Sequence, residues 1–192
     1  MTDVREPAAS PRPRRAAGRG VRWCTGALVA GAALALGASP ALAQGGDPSV
    51  DYPQDPVAVI APGQTGEVKF GLKNPTTDFT GESTQDQLHM HLYAPAGTAF
   101  ADDTVTPVGQ APGPWRCVRY SSTETHCDSE YNGVIASPGE VRQWKVNLTV
   151  APDASYGTTL SQGGRVSFSY VDCNSFMYSP TMTLAVRTPP GL

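Results

Sequence analysis

The chain has 192 residues, of which 40% are apolar and 16% charged, with 18 prolines, 20 glycines and a formal net charge of −3. So many prolines and glycines exclude a helical domain and suit a turn-rich one, of a length that buries one core without needing many covalent staples. Acids outnumber bases, and such a surface repels phosphate backbones, which argues against nucleic acid as a partner.

The first segment reads as an export signal. Arg12, Arg14, Arg15, Arg19 and Arg22 precede a Gly/Ala/Leu-rich stretch from Trp23 to Ala38, then Pro40 and Ala41-Leu42-Ala43. That order matches a secretory signal peptide over 1–43, with cleavage after Ala43 and a mature chain that starts at Gln44. The Arg14-Arg15 pair suggests twin-arginine export. Ala16-Ala17-Gly18 after it supplies no bulky apolar residue and favours the general secretory route. The leader holds six of the 14 Lys and Arg and two of the 17 acids, so the remainder carries 8 bases against 15 acids, a net −7. No later apolar run reaches the length of a membrane span. The expected protein is secreted and extracellular, with no membrane partner.

After an irregular lead-in over 44–56, a period of two dominates and predicts strands. Val57–Ile60 is a short apolar strand. In Glu67–Lys73 the residues Val68, Phe70 and Leu72 face inward, and in Leu88–Tyr93 the residues Leu88, Met90 and Leu92 do. Trp115–Tyr120 and Thr125–Asp128 form a hairpin. Trp144, Val146, Leu148 and Val150 share one face, as do Val166, Phe168 and Tyr170. Met182, Leu184 and Val186 alternate near the end. Seven or eight short strands with Gly/Pro turns between them predict an all-β, antiparallel β-sandwich over 57–187 and a tail over 188–192.

The run Leu88–Phe100, the Trp115-Arg116-Cys117 triplet, Cys127 and the Ser137-Pro138-Gly139-Glu140 turn, in that order, resemble the Ig-like conserved repeat domains of bacterial, especially actinobacterial, secreted and cell-surface proteins. The resemblance spans roughly 57–186. It implies an Ig-like sandwich with an interaction or structural role, and it brings no catalytic residues. Such domains usually stand in tandem or ahead of an anchor, whereas this sequence shows one copy.

Three cysteines lie beyond the leader residue Cys24: Cys117, Cys127 and Cys173. A hairpin centred on Ser122 sets Cys117 opposite Cys127, within bonding range, with Trp115 on the same face and Arg116 opposite Asp128. Cys173 with either partner is the competing pairing. If the hairpin pair forms, Cys173 is a free thiol, either buried and inert or available for a disulfide-linked dimer. No paired C-x-x-C marks a zinc site.

His89 and His91 sit two apart on one strand, about 6.5–7 Å from each other along the backbone. Neutral imidazoles so placed can hold zinc or copper, with His126 as a third ligand. The alternative is a solvated outer sheet face, with no cofactor at all. Trp144 is in phase with the core and Trp115 packs on the disulfide. Tyr120, Tyr131, Tyr156 and Tyr178 then remain as candidate ligand contacts for a sugar-stacking rim, or as plain loop anchors. No hydrolase or metalloprotease motif is present. Gln44 is not the amino-terminal histidine of a copper monooxygenase. Asp51, Asp55, Asp102 and Asp103 lack calcium-loop spacing. The expected function is a secreted, non-catalytic Ig-like binding or structural module for a protein or cell-wall glycan. A carbohydrate-binding protein and a metal-binding protein using His89 and His91 are the alternatives.

Overall fold

A computed structural model describes residues 49–81, 88–131, 133–171 and 177–191. The leader and its cleavage site, Cys24, Gln44 and Cys173 lie outside the described residues. The secondary structure of the rest is strand and turn. In chain order the strands are β1 (Val50–Asp51), β2 (Thr65–Lys73), β3 (His89–Tyr93), β4 (Thr98–Phe100), β5 (Thr106–Val108), β6 (Trp115–Ser121) and β7 (Glu124–Ser129). Then follow β8 (Val141–Val150), β9 (Thr159–Leu160), β10 (Arg165–Val171), β11 (Met177–Tyr178), β12 (Thr181–Thr183) and β13 (Val186–Arg187).

They make two antiparallel sheets and a ribbon. Sheet I runs β1-β2-β8-β4, with β5 also on β8; sheet II runs β11-β10-β3-β7-β6, with β12 also on β10; β13 pairs β9. The predicted alternation decides which face each strand buries. Val68, Phe70 and Leu72 of β2, Met90 and Leu92 of β3, and Val146 and Leu148 of β8 are all inside. So are Val166, Phe168 and Tyr170 of β10, and the two inner faces meet in one core. This is the expected all-β sandwich.

The core centres on Trp144, which is 0% exposed. Its ring lies 6.1 Å from Phe70 in its own sheet, and 5.5 Å from Phe168 and 6.3 Å from Trp115 in the other. Trp144 and Trp115 each donate Nε1–H to the Pro112 carbonyl at 2.9 Å. One loop oxygen thus satisfies two indoles that hydrophobic burial would otherwise leave unpaired.

The short elements depart from expectation. Val57–Ile60 is not a strand: a single bridge joins Val59 to Arg187. The lead-in instead contributes β1, which extends β2 through Val50 opposite Lys73. Asp51 then accepts hydrogen bonds from the amide and hydroxyl of Thr183, fastening β1 to β12 of the other sheet. Residue 188, expected in the tail, is also tied in. Thr188 is 1% exposed, and its hydroxyl donates to the Ser155 carbonyl at 2.8 Å.

Gly164, just before β10, is required by close approach. A Cβ there would sit 2.1 Å from the Leu184 carbonyl oxygen and 2.6 Å from Pro95 Cγ. Backbone cannot yield as a flexible side chain does, so Gly164→Ala is expected to cost about 1–3 kcal/mol, the range for overpacking. Urea unfolding measures it, and a variant as stable as the parent would contradict the contact.

The Ser137–Glu140 turn that leads into β8 carries a pH-dependent contribution. The Ser137 amide donates to Glu140 Oε2 at 2.7 Å, and Arg142 Nη2 to the same oxygen at 2.5 Å. The backbone and side chain of Ser137 hold the Glu140 carboxyl below its ordinary value, against an opposing effect of desolvation, and the charge of Arg142 adds a smaller lowering. A depressed carboxylate stabilises fully above the unfolded-state pKa, about 4.3, and loses that contribution as pH falls through the lower folded value. The gap in thermal midpoint between wild type and Glu140→Gln should therefore be constant near neutrality and close below about pH 4. A gap unchanged down to pH 3 would refute this.

Candidate functional site

The outer face of sheet II carries titratable and aromatic residues in three rows. Across β6, β7, β3 and β10 the register aligns Arg116, Asp128, His89 and Ser169 in the first row. Val118, His126, His91 and Ser167 form the second. In the third, Glu124, Tyr93 and Arg165 line up, with the Arg165 guanidinium 4.3 Å over the Tyr93 ring. These are the outward positions of strands whose alternate residues fill the core, so sheet geometry alone brings them to one surface.

The β3–β7 ladder fixes how close they come. Ser129 N–H donates to the Leu88 carbonyl and Ala94 N–H to the Thr123 carbonyl. Counting inward by twos makes Met90 and Cys127 a hydrogen-bonded pair. His91–His126 and His89–Asp128 then occupy the other type of position, where facing side chains approach more closely. The two imidazoles of His91 and His126 stack, with centroids 3.9 Å apart and planes within 1°. His89 Nδ1 bonds Asp128 Oδ1 at 2.6 Å, and His126 Nε2 bonds Glu124 Oε1 at 2.9 Å.

Tyr120 completes the row. The β6–β7 pairing slips between Arg119 and Ser121, so Tyr120 is the extra residue of a bulge. Bulges re-aim side chains, and this one tilts the Tyr120 ring onto His126, 4.1 Å centroid to centroid. Tyr120 is 66% exposed and its neighbour Val118 59%. Partial burial first, then the facing His126 and His89, hold His91 below its ordinary pKa; Glu124 and Asp128 pull the other way.

The predicted residues separate clearly. Cys117 and Cys127 are bonded, directly opposite each other across the hairpin, with Arg116 opposite Asp128 as expected. Cys173 lies outside the described residues. Of the candidate tyrosines, Tyr120 and Tyr156 are exposed. Tyr131 is half-buried and donates its hydroxyl to the Val134 carbonyl, a loop anchor. Tyr178 is no rim residue: it is 9% exposed, opposite Tyr170 in the ladder, and the two rings lie 5.3 Å apart. The histidine pair seen in sequence, His89 and His91, is not the pair in contact, because His89 turns to Asp128 and His91 stacks on His126. Among the described residues no three His, Cys, Asp or Glu side chains are gathered closely enough to hold an ion together.

Asp102 and Asp103 are engaged elsewhere. Asp102 takes bonds from the Thr104 amide and Asn147, and Asp103 from Arg119. Away from this face, an open depression of about 370 Å³ is lined by Val59, Gly157, Arg187, Thr188, Pro189 and Pro190. It holds one cation and no acid or nucleophile with a base beside it.

No protein-family model matches the chain, and no curated protein sequence does. Among solved structures it is similar to the sixth cohesin of Acetivibrio cellulolyticus scaffoldin B, solved in complex with a Cel5 dockerin. The identity is 14%, over 69% of this chain and 94% of that one, with a TM-score of 0.47. The collagen-binding subdomain of the Enterococcus faecalis surface protein ACE is 10% identical over 72% of this chain and 94% of that one, TM-score 0.42. BcpA, the major pilin subunit of Bacillus cereus, is 6% identical over 67% of this chain, which spans 36% of that one, TM-score 0.44. Likeness at this level transfers no activity or partner.

Proposed function

We propose that the chain is a secreted, non-catalytic, Ig-like binding module whose contact surface is the outer face of sheet II around Tyr120. The observation that carries this reading is the exposed Tyr120, tilted by a bulge onto the His126–His91 stack and flanked by exposed Val118. A large aromatic held on a rigid strand offers contact area at little entropic cost and is a common binding anchor. An ion pair on the same face borders it, Arg116 with Glu130. A disulfide fits an oxidising compartment, in keeping with the leader.

The stack argues for a protein partner over a glycan. His126 and His91 lie face to face, so they turn ring edges outward, and sugar platforms need exposed faces. Tyr120 retains one. The test compares wild type with Tyr120→Ala for binding to secreted and wall proteins of the producing cell, and to purified peptidoglycan, chitin and cellulose. A protein partner should be held about tenfold or more weaker by the variant, the loss of one anchor residue. Equal binding by both forms would refute the face, and binding to a glycan alone would refute the protein partner.

A further inference from the structure

We propose that His91 and His126, side by side on β3 and β7, form a two-histidine site for a divalent first-row metal ion, with water completing the coordination. Imidazole is a preferred ligand for zinc and copper(II), and affinity across the row peaks at copper(II). The proposal stands independently of any binding partner at Tyr120.

Geometry carries it. A metal–nitrogen length of about 2.0–2.1 Å with a bond angle near 90–110° sets two donors roughly 2.9–3.4 Å apart. The ring centroids lie 3.9 Å apart, near enough for small turns of the rings to bring one nitrogen of each into that range. Parallel rings keep their lone pairs in parallel planes, and opposite turns about the two Cβ–Cγ bonds tilt those planes toward one point. That torsion is broad in histidine, and because Glu124 and Tyr120 hold His126, His91 makes the larger turn. The position in the ladder matters equally. His91 and His126 share a non-hydrogen-bonded position, whose short separation no two residues along one strand can match.

The tautomers suit the role. Glu124 Oε1 accepts a hydrogen bond from Nε2–H of His126, which leaves Nδ1 as the lone-pair nitrogen of the neutral tautomer. A carboxylate on the far nitrogen of a ligating imidazole fixes its tautomer and raises its basicity. His91 has no hydrogen bond to a described residue at either ring nitrogen, so both are open to solvent or metal. His89 differs: Asp128 occupies its Nδ1.

The experiment uses the secreted chain without a polyhistidine tag, titrated calorimetrically with zinc(II) and copper(II) chlorides, with magnesium chloride as a control. One saturable equivalent of zinc or copper per chain is expected, with no magnesium binding. His91→Ala and His126→Ala should each weaken it at least tenfold, while His89→Ala retains it. The copper electron-spin spectrum of the wild type should show two equatorial nitrogens, a readout that needs no variant. Binding lost equally in His89→Ala would move the site to the single-strand pair and overturn the proposal. So would the absence of saturable binding, or binding that none of the three variants changes.

Discussion

Trp144→Ala is expected to remove about 3–5 kcal/mol of stability, the range for truncating a buried Trp. Such a loss is a large fraction of the about 5–15 kcal/mol that holds a typical domain folded. Trp144 is the contact between the sheets, reaching Phe70 on one side and Phe168 and Trp115 on the other. Alanine there leaves a cavity walled by strands of both sheets, and paired strands collapse poorly into a void. Trp144→Phe separates packing from hydrogen bonding. It keeps a ring and loses the Nε1–H donor, but Pro112 still accepts from Trp115, so no buried carbonyl is orphaned. That variant should cost about 1–2 kcal/mol, a lost hydrogen bond with modest volume loss. Urea unfolding at constant slope measures both. If alanine cost no more than phenylalanine, Trp144 would not be the centre of the core.

Long alternating runs were legible in the sequence, because a period of two over five or more residues admits few other readings. Val68-Phe70-Leu72 and Trp144 to Val150 fold as their pattern requires. The Cys117–Cys127 register was legible too, since a short hairpin sets its own pairing. β4, β5, β9 and β11 were not, being two or three residues long and too short for a period; their pairing is set by neighbours already in place. β1 escaped for the same reason, hidden among Gly, Pro and Asp. Tyr178 looks like a rim residue beside Ser179 and Pro180, but it stands opposite Tyr170 in the ladder and is buried. The site was half legible. His89 and His91 declare a shared face, but the contact of His91 with His126 depends on β3 pairing with β7, which no turn connects. Nor does anything local in Arg119-Tyr120-Ser121 announce the bulge that aims Tyr120.

Removing the disulfide is expected to cost roughly 2.5–3 kcal/mol on the loop-entropy model, given a sequence separation of 10 between the cysteines. Cys117→Ala with Cys127→Ala is the suitable variant, because Cys127 is 1% exposed and a serine there would bury a hydroxyl. Wild type under reductant and the double variant should unfold at similar urea concentrations, both below oxidised wild type, and the variant should not respond to reductant. The loosening should be local as well. β7 is held on its other side by β3, whereas β6 pairs with β7 alone among the described strands. Loss of the bond therefore frees β6 first, and with it Tyr120, while His126 stays opposite His91. Hydrogen exchange should show protection falling at Arg116 and Val118 before it falls at Met90 and Leu92. Partner binding through Tyr120 should weaken on reduction, and metal binding by the histidine pair should not. Equal loss of protection in β3 and β6 would show that the bond holds the whole sheet and not its edge.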